Sequence, residues 1–416
     1  MRKYLLVQLK TFYSVIKVRN VFLLSIQSAI GAFIKGFFSW ALPILIERVG
    51  GVLIVGLTYT IERVLSAPLV LVAGLLMDSY GRKVNILLGV ALELVGLSII
   101  AYLFHNLPLL TIALAMYVSA GWLMYDAISF LLMESVEENV RGTALTLHRT
   151  TALVTSLIGS IVLGILVSVF DAEKVILLCT VLTISKLPVV FMLRETLVQK
   201  LVDSRAISVV ERFKTALGNL KVLRRKSILL VSIFGILMTF ASTLASTYIS
   251  LYLFKVLSIG FSLLGIIYAG SRILPILSQF IAGRIVDSFG SLNTLTISVP
   301  LVGFLIFIMT LTYNPLVAII ALLLIGAIEP FIGTADDVLF MKITEQRWRG
   351  AASGALGALS IVASTPAPIL GSILWSISPH IIMITMSILV FLGIIPLLVL
   401  RGMMKHESRE SEIKVQ

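Results

Sequence analysis

Several ionisable side chains lie near the middle of long apolar runs, where a charge has to have a purpose. Lys35 sits within residues 20–46, Glu62 and Arg63 within 51–73, Asp126 within 108–133, and His148 and Arg149 within 142–169. Arg272 sits within 260–282, and Glu329, Asp336 and Asp337 within 315–341. A charge at the centre of a bilayer costs about 2.5–3.5 kcal/mol on insertion scales, so such a group faces a wet cavity or a partner. The chemistry open to this set is binding and proton exchange, because fixed cations attract an anionic solute and carboxylates attract a cation or carry a proton. Helical spacing adds geometry: Gln27, Gly31 and Lys35 recur every four residues on one face, and Glu329, Gly333 and Asp336 make a second stripe. For each residue the alternative is an interhelical ion pair without solute contact, Lys35 with Glu62 for instance. No metal-ligand spacing, phosphate-cradling glycine loop or nucleophile elbow occurs, so neither enzyme chemistry nor a cofactor is expected. The single cysteine, Cys179, excludes an intramolecular disulfide.

The elements that hold these side chains must cross a membrane. Of the 416 residues, 58% are hydrophobic and 13% charged, an apolar load that no soluble chain of this length needs. Apolar runs recur at 20–46, 51–73, 84–104, 108–133, 142–169 and 174–193, then at 227–253, 260–282, 292–312, 315–341, 351–376 and 380–400. A helix crosses the hydrocarbon in about 20 residues, so each run is one span. The sequence predicts an all-α polytopic membrane protein of twelve transmembrane helices, numbered here span 1 to span 12. The net charge of +12 would suit nucleic acid, yet the basic residues occupy loops and tails, where the anionic lipid of the inner leaflet is the expected partner.

Cations also set the orientation. With the N-terminus inside, the outer connections carry only Arg48, Lys174 and Lys255, whereas nine lysines and arginines fall between Arg194 and Lys226. Arg2, Lys3, Lys10, Lys17 and Arg19 precede span 1, and four more cations follow span 12. The expected organisation is a cytoplasmic segment at 1–19, a first bundle at 20–193, a cytoplasmic linker at 194–226, a second bundle at 227–400 and a cytoplasmic tail at 401–416, in the plasma membrane. Ile207, Val210, Leu217, Leu220 and Leu223 recur in the linker at helical spacing among basic residues, the pattern of an amphipathic helix on the inner leaflet. Lys186, about seven residues from the inner end of span 6, is expected to snorkel, and Glu93 in span 3 to face other helices. Pro275, Pro330, Pro366 and Pro368 interrupt spans 8, 10 and 11, as packing kinks or as gating bends.

The two halves repeat. GLLMDSYGRK at 74–83 is echoed by GRIVDSFG at 283–290 with an offset of 209, which pairs Gly74 with Gly283, Asp78 with Asp287 and Gly81 with Gly290. Arg63 and Arg272 share that offset, and NVRGTA at 139–144 returns as RWRGAA at an offset of 208, pairing Arg141 with Arg349. Such landmarks mark a duplication into two pseudo-symmetric six-helix bundles. In the second copy Ser291 and Leu292 replace Arg82 and Lys83.

The stretch 74–83 resembles the signature G-x-L-x-D-x-x-G-R-K of the major facilitator superfamily, matching at Gly74, Leu76, Asp78, Gly81, Arg82 and Lys83. The resemblance implies that spans 1, 4, 7 and 10 line a central cavity while spans 2, 5, 8 and 11 join the bundles. It turns Lys35, Asp126, Glu329 and Asp336 toward the cavity and sets Arg63, Arg149 and Arg272 at its walls. It also gives the signature residues and their second copies Gly283, Asp287 and Gly290 a part in the conformational switch. Tyr117 stands where many drug–proton antiporters of the superfamily carry an arginine, and span 5 lacks their proline, so that branch is not implied.

The expected function is secondary active transport of a small organic solute by alternating access, coupled to protons, by a monomer without a cofactor. The buried cations lean toward an anionic solute, although the carboxylates would suffice for a cation. A membrane sensor without transport activity, or a lipid-handling protein on the same fold, is the second class compatible with the sequence.

Overall fold

The computed structural model describes residues 13–196, 225–344 and 349–415, with the side chains of 67–79, 139, 349–355, 358 and 406–415 outside that description. The amphipathic helix expected in the linker lies largely outside the described residues. Among the described residues the regular structure is helical throughout, and eleven stretches are long and apolar enough to cross a membrane. The first of these, Arg19–Ser66, has 48 residues. At 1.5 Å per residue it is about 72 Å long, over twice the ~30 Å of a bilayer core. Gly51 breaks it with φ 74° and ψ 174°, a conformation that side chains with a Cβ resist. Spans 1 and 2 therefore meet at Gly51 within the helical stretch Arg19–Tyr80, which brings the crossings to twelve.

Span 3 is Arg82–Tyr102, span 4 Leu107–Glu134 and span 5 Arg141–Val169. Span 6 is split into Ala172–Ile184 and Lys186–Phe191. Spans 7 to 10 are Lys226–Lys255, Phe261–Phe289, Ser291–Leu311 and Pro315–Ile343. Span 11 is split into Arg349–Ser364 and Ala367–Ile377, and span 12 into Pro379–Leu392 and Ile394–Val415. The three splits have one cause. A proline lacks the N–H for the carbonyl four residues back and its ring crowds that carbonyl. Pro188, Pro368 and Pro396 lie four residues beyond Ile184, Ser364 and Leu392, where the helices stop. Pro275 and Pro330, by contrast, are accommodated inside continuous helices.

The chain divides into two compact units, Met1–Val209 with Gly260–Ala269, and Val210–Ile259 with Gly270–Gln416. In the first, Ser28 meets His148 and Trp40 Nε1 donates to Ser160 Oγ, both pairs 120 residues apart. A constant separation means that spans 1 and 5 run parallel in one register. Spans 2 and 4 do the same through Thr58 with Thr111 and Ser66 with Ser119, each 53 apart. In the second unit the Tyr248 hydroxyl donates to the Pro368 carbonyl, again 120 apart. Trp40 and Ser160 fall 208 residues before that pair, so the duplication is present in the packing of each unit. Asn106 and Asn314, also 208 apart, cap the starts of spans 4 and 10 by accepting from backbone N–H groups. Large apolar side chains such as Trp122, Val181 and Phe280 stay exposed on the helices, as a lipid solvent allows.

Candidate functional site

Within the first unit lies a cavity of ≈ 460 Å³, walled by spans 1, 3, 4, 5 and 6. Its polar wall comprises Gln27, Ser28, Lys35, Glu93, His148, Arg149 and Lys186, with Tyr117, Tyr125 and Ser129. Its apolar wall is built by Val118, Met124, Ile128, Leu145 and Leu153.

Span 1 presents the stripe read from its sequence. Gln27, Ser28, Gly31 and Lys35 share one face, and each lines the cavity. The Ser28 hydroxyl donates to Gln27 Oε1 at 3.2 Å and lies 3.2 Å from His148 Nε2. A hydroxyl has one proton to give, so with Gln27 receiving it, His148 presents Nε2–H to Ser28. That network assignment leaves His148 Nδ1 as a bare acceptor, and Nδ1 is buried without a hydrogen-bond partner.

Behind this stripe is an ion pair that the sequence reading passed over. Lys186 Nζ lies 2.7 Å from each carboxylate oxygen of Glu93, and the side chains are 1% and 6% exposed. Lys186 does not snorkel. The helix break at Ser185, imposed by Pro188, starts a new segment at Lys186, whose ammonium is then buried at the cavity wall. A Cβ at Gly31 would stand 2.9 Å from Nζ, so the glycine makes room for the ammonium.

Of the candidates read from the sequence, Lys35 and Arg149 come together in this cavity, joined by Glu93, His148 and Lys186. Asp126 is exposed and is not part of the wall, although its neighbours Tyr125 and Ser129 are. Glu62 is buried on span 2, where it accepts from Ser66 Oγ at 2.8 Å; that hydroxyl lies 3.0 Å from Ser119 on span 4. Arg63 is half-buried on span 2 and is not in the cavity wall. In the second unit Arg272 is half-buried, Glu329 and Asp337 are exposed, and Asp336 is half-buried with Oδ1 enclosed and lacking a hydrogen-bond partner. Gln279 on span 8 donates to Thr334 on span 10 at 3.2 Å, two residues before Asp336.

The signature turn is tied down at its second half. Gly81 (φ 97°) caps span 3, and its counterpart Gly290 (φ 82°) caps span 9. Arg82 pairs with Glu134 at 3.0 Å, and Glu134 also accepts from the Thr196 hydroxyl. The Lys83 N–H donates to Glu195 at 2.9 Å and its ammonium to the Phe191 carbonyl at 2.8 Å. Gly283 is half-buried and Asp287 exposed. The side-chain positions at 74–79, Gly74 and Asp78 among them, lie outside the described residues. Among the described residues no group of His, Cys, Asp and Glu could hold a metal ion.

The family model for the Major Facilitator Superfamily matches residues 22–368. The chain belongs to the Major Facilitator Superfamily. No curated protein matches it. Its fold is similar to a D-xylose–proton symporter at a TM-score of 0.70 and 13% identity, over 90% of this chain and 97% of that one. It is similar to a mutant of the nucleoside transporter NupG at 0.73 and 13%, over 92% and 99%. It is also similar to the human organic anion transporter MFSD10 (TETRAN) at 0.61 and 14%, over 91% and 99%. At such identities the likeness speaks for the superfamily fold, and the solute has to be sought in the side chains of this chain.

Proposed function

We propose that this superfamily member is a secondary active transporter of a small organic solute, coupled to protons and working by alternating access in the plasma membrane. One observation carries the reading: the first bundle encloses a cavity whose wall holds Lys35, Glu93, His148, Arg149 and Lys186 together. Helix packing alone does not call for so many ionisable groups around one space, because each is costly in a membrane. The space is of the size that small organic ligands occupy. The proton, in this proposal, travels on carboxylates of span 10, Glu329 and Asp336. An Asp336 oxygen enclosed without a donor is costly as an anion, which supports that role. Both termini face the cytoplasm in this reading, and the chain acts as a monomer.

The test is reconstitution of the purified protein in liposomes with an imposed pH gradient and a panel of labelled organic solutes. Accumulation of a solute that collapses on adding a protonophore is the expected result. Absence of flux for every class in the panel, with the protein folded and inserted, would overturn the transporter reading.

A further inference from the structure

We infer that the Glu93–Lys186 pair is the recognition element of the cavity and that its solute is a zwitterion, an amino acid with an apolar side chain. The inference rests on the transporter reading above and names the class of its solute. Glu93, Lys186 and Gly31 come from spans 3, 6 and 1, and all three line the cavity. The second bundle repeats the frame around them, with Gly290 for Gly81 and Pro396 for Pro188. Counted from those landmarks, Val302 stands for Glu93 and Ile394 for Lys186. The correspondence of Trp40 with Tyr248 likewise puts Thr239 in the place of Gly31. Val302 is buried, as Glu93 is. One copy of the fold therefore builds these positions without the ion pair and without the glycine that makes room for its ammonium. Apolar residues in place of a buried ion pair often leave a fold as stable or more so, and the frame alone gives no reason for the pair.

The chemistry of the pair selects what can use it. Lys186 Nζ lies 2.7 Å from each Glu93 oxygen, and the side chains are 1% and 6% exposed. A solute that engages one member strands the other away from water: an anion on Lys186 leaves a bare carboxylate, and a cation on Glu93 leaves a bare ammonium. A neutral solute offers weaker, uncharged hydrogen bonds in exchange and leaves the pair closed. A zwitterion compensates both members together. Its ammonium takes the place of Lys186 at Glu93, its carboxylate takes the place of Glu93 at Lys186, and the net charge of the wall is unchanged. The two residues remain anchored on spans 3 and 6, so the pair opens only as far as the flexible lysine stem swings. The charges of the solute must then lie close together, as they do on the α-carbon of an amino acid. Span 1 leaves space for the swing, because Gly31 presents no side chain to Nζ and a Cβ there would stand 2.9 Å from it. Elsewhere in the wall Met124, Ile128 and Leu153 offer an apolar side chain a place out of water.

Leucine, methionine and phenylalanine are the probes, each tested beside its amide, its decarboxylated amine and its deaminated acid, which carry a single charge. Binding to the purified full-length protein is read by thermal shift and by isothermal titration. The expected result is stabilisation by at least one amino acid and by none of its singly charged counterparts at the same concentration. Glu93→Gln and Lys186→Gln should each weaken that amino acid tenfold or more. Where the remaining buried charge unfolds these variants, Glu93→Val combined with Lys186→Ile installs the residues of the second bundle and removes both charges. That double variant should fold and bind the amino acid at least tenfold more weakly, whereas a pair that only fastens span 3 to span 6 would leave binding in the folded variant unchanged. Silence from all three amino acids, a singly charged counterpart binding as tightly as its amino acid, unchanged binding in the double variant, or failure of the double variant to fold would each overturn the inference. Flux of the same compounds in liposomes separates the two readings. Amino-acid binding without flux keeps the zwitterion site and removes the transporter. Flux of a singly charged counterpart with the amino acids silent keeps the transporter and removes the zwitterion site.

Discussion

At the scale of single residues, the Glu93–Lys186 pair makes the sharpest demand on stability. Both groups have left water, and the cost of that is met only while each faces the other. Lys186→Met strands a buried carboxylate, and the expected loss is about 3–5 kcal/mol, read as unfolding of the purified protein in denaturant. Glu93→Gln combined with Lys186→Met removes both charges together and should regain most of that loss. A single variant as stable as the parent would show that the pair is not the constraint its geometry suggests. The sequence revealed that charges sit at depth in the spans, but depth along a helix does not say which way a side chain points. In one unbroken helix Lys186 would reach the inner interface, and Pro188 is the signal that span 6 is not unbroken. Asp126 fails in the opposite sense, since it has the right depth but stands off the face that Tyr125 and Ser129 present to the cavity.

At the scale of elements, spans 1 and 5 are held at backbone distance by two glycines. A Cβ on Gly159 would overlap the Phe33 carbonyl, and one on Gly36 would overlap the Ser156 carbonyl. Backbone does not yield as a side chain does, so Gly159→Ala should cost about 1–3 kcal/mol through overpacking. At Gly235 the nearest atom to a new Cβ is 4.0 Å away, at Ser360. Gly235→Ala should therefore gain up to about 0.8–1.0 kcal/mol from helix propensity. Thermal unfolding of the two variants side by side checks both signs, and equal shifts would contradict the packing account. The turn after span 2 is an element with a different task. Arg82 and Lys83 fasten the start of span 3 to Glu134, Glu195 and the Phe191 carbonyl, all within the first unit. The resemblance of 74–83 to the superfamily signature predicts that Asp78 acts in the switch and not in binding. Asp78→Asn should then slow turnover in liposomes while equilibrium solute affinity stays within a few fold; lost binding in a folded variant, or unchanged turnover, would contradict this. The spans themselves were legible, because apolar runs of bilayer length leave few other readings. Their internal breaks in spans 6 and 12 were not, since a proline within a run can be absorbed, as Pro275 and Pro330 are.

At the scale of the whole molecule, the two copies share a frame and divide its charges. Gly81 and Gly290, Asn106 and Asn314, and Pro188 and Pro396 repeat the same turn, cap and break about 208 residues apart. The chemistry does not repeat. Lys35, Arg149 and Lys186 correspond at an offset of 208 to Thr243, Gly357 and Ile394, while Glu329 and Asp336 correspond to Gly121 and Ile128. Gly121 and Ile128 both line the cavity of the first bundle, so the pseudo-symmetry assigns Glu329 and Asp336 to the matching face of span 10 in the second. The duplication was legible in the sequence; this division of charge needed the cavity wall to give the offset a meaning. The loop cations predict the orientation: reporter fusions after Lys226 and after Gln416 should both report cytoplasm, an external signal from either being enough to reject the topology. The proposed proton coupling makes the most exacting demand on the frame. Glu329 lies on the carboxylate face, next to the buried ring of Pro330, which removes one helical hydrogen bond from span 10. If solute binding changes the surroundings of this carboxylate between two states of the protein, it takes up a proton in one and gives it up in the other, and by linkage the solute and proton affinities then move together. A glutamine at this position imitates the protonated group permanently. Glu329→Gln is therefore expected to abolish accumulation driven by a pH gradient and to preserve exchange of solute for solute across the same liposomes. Asp336→Asn, made separately, should leave exchange intact as well and shows whether the two carboxylates share the proton. A Glu329→Gln protein that still accumulates solute against its gradient would remove Glu329 from the coupling path, and loss of exchange together with accumulation would make it part of the solute's own passage.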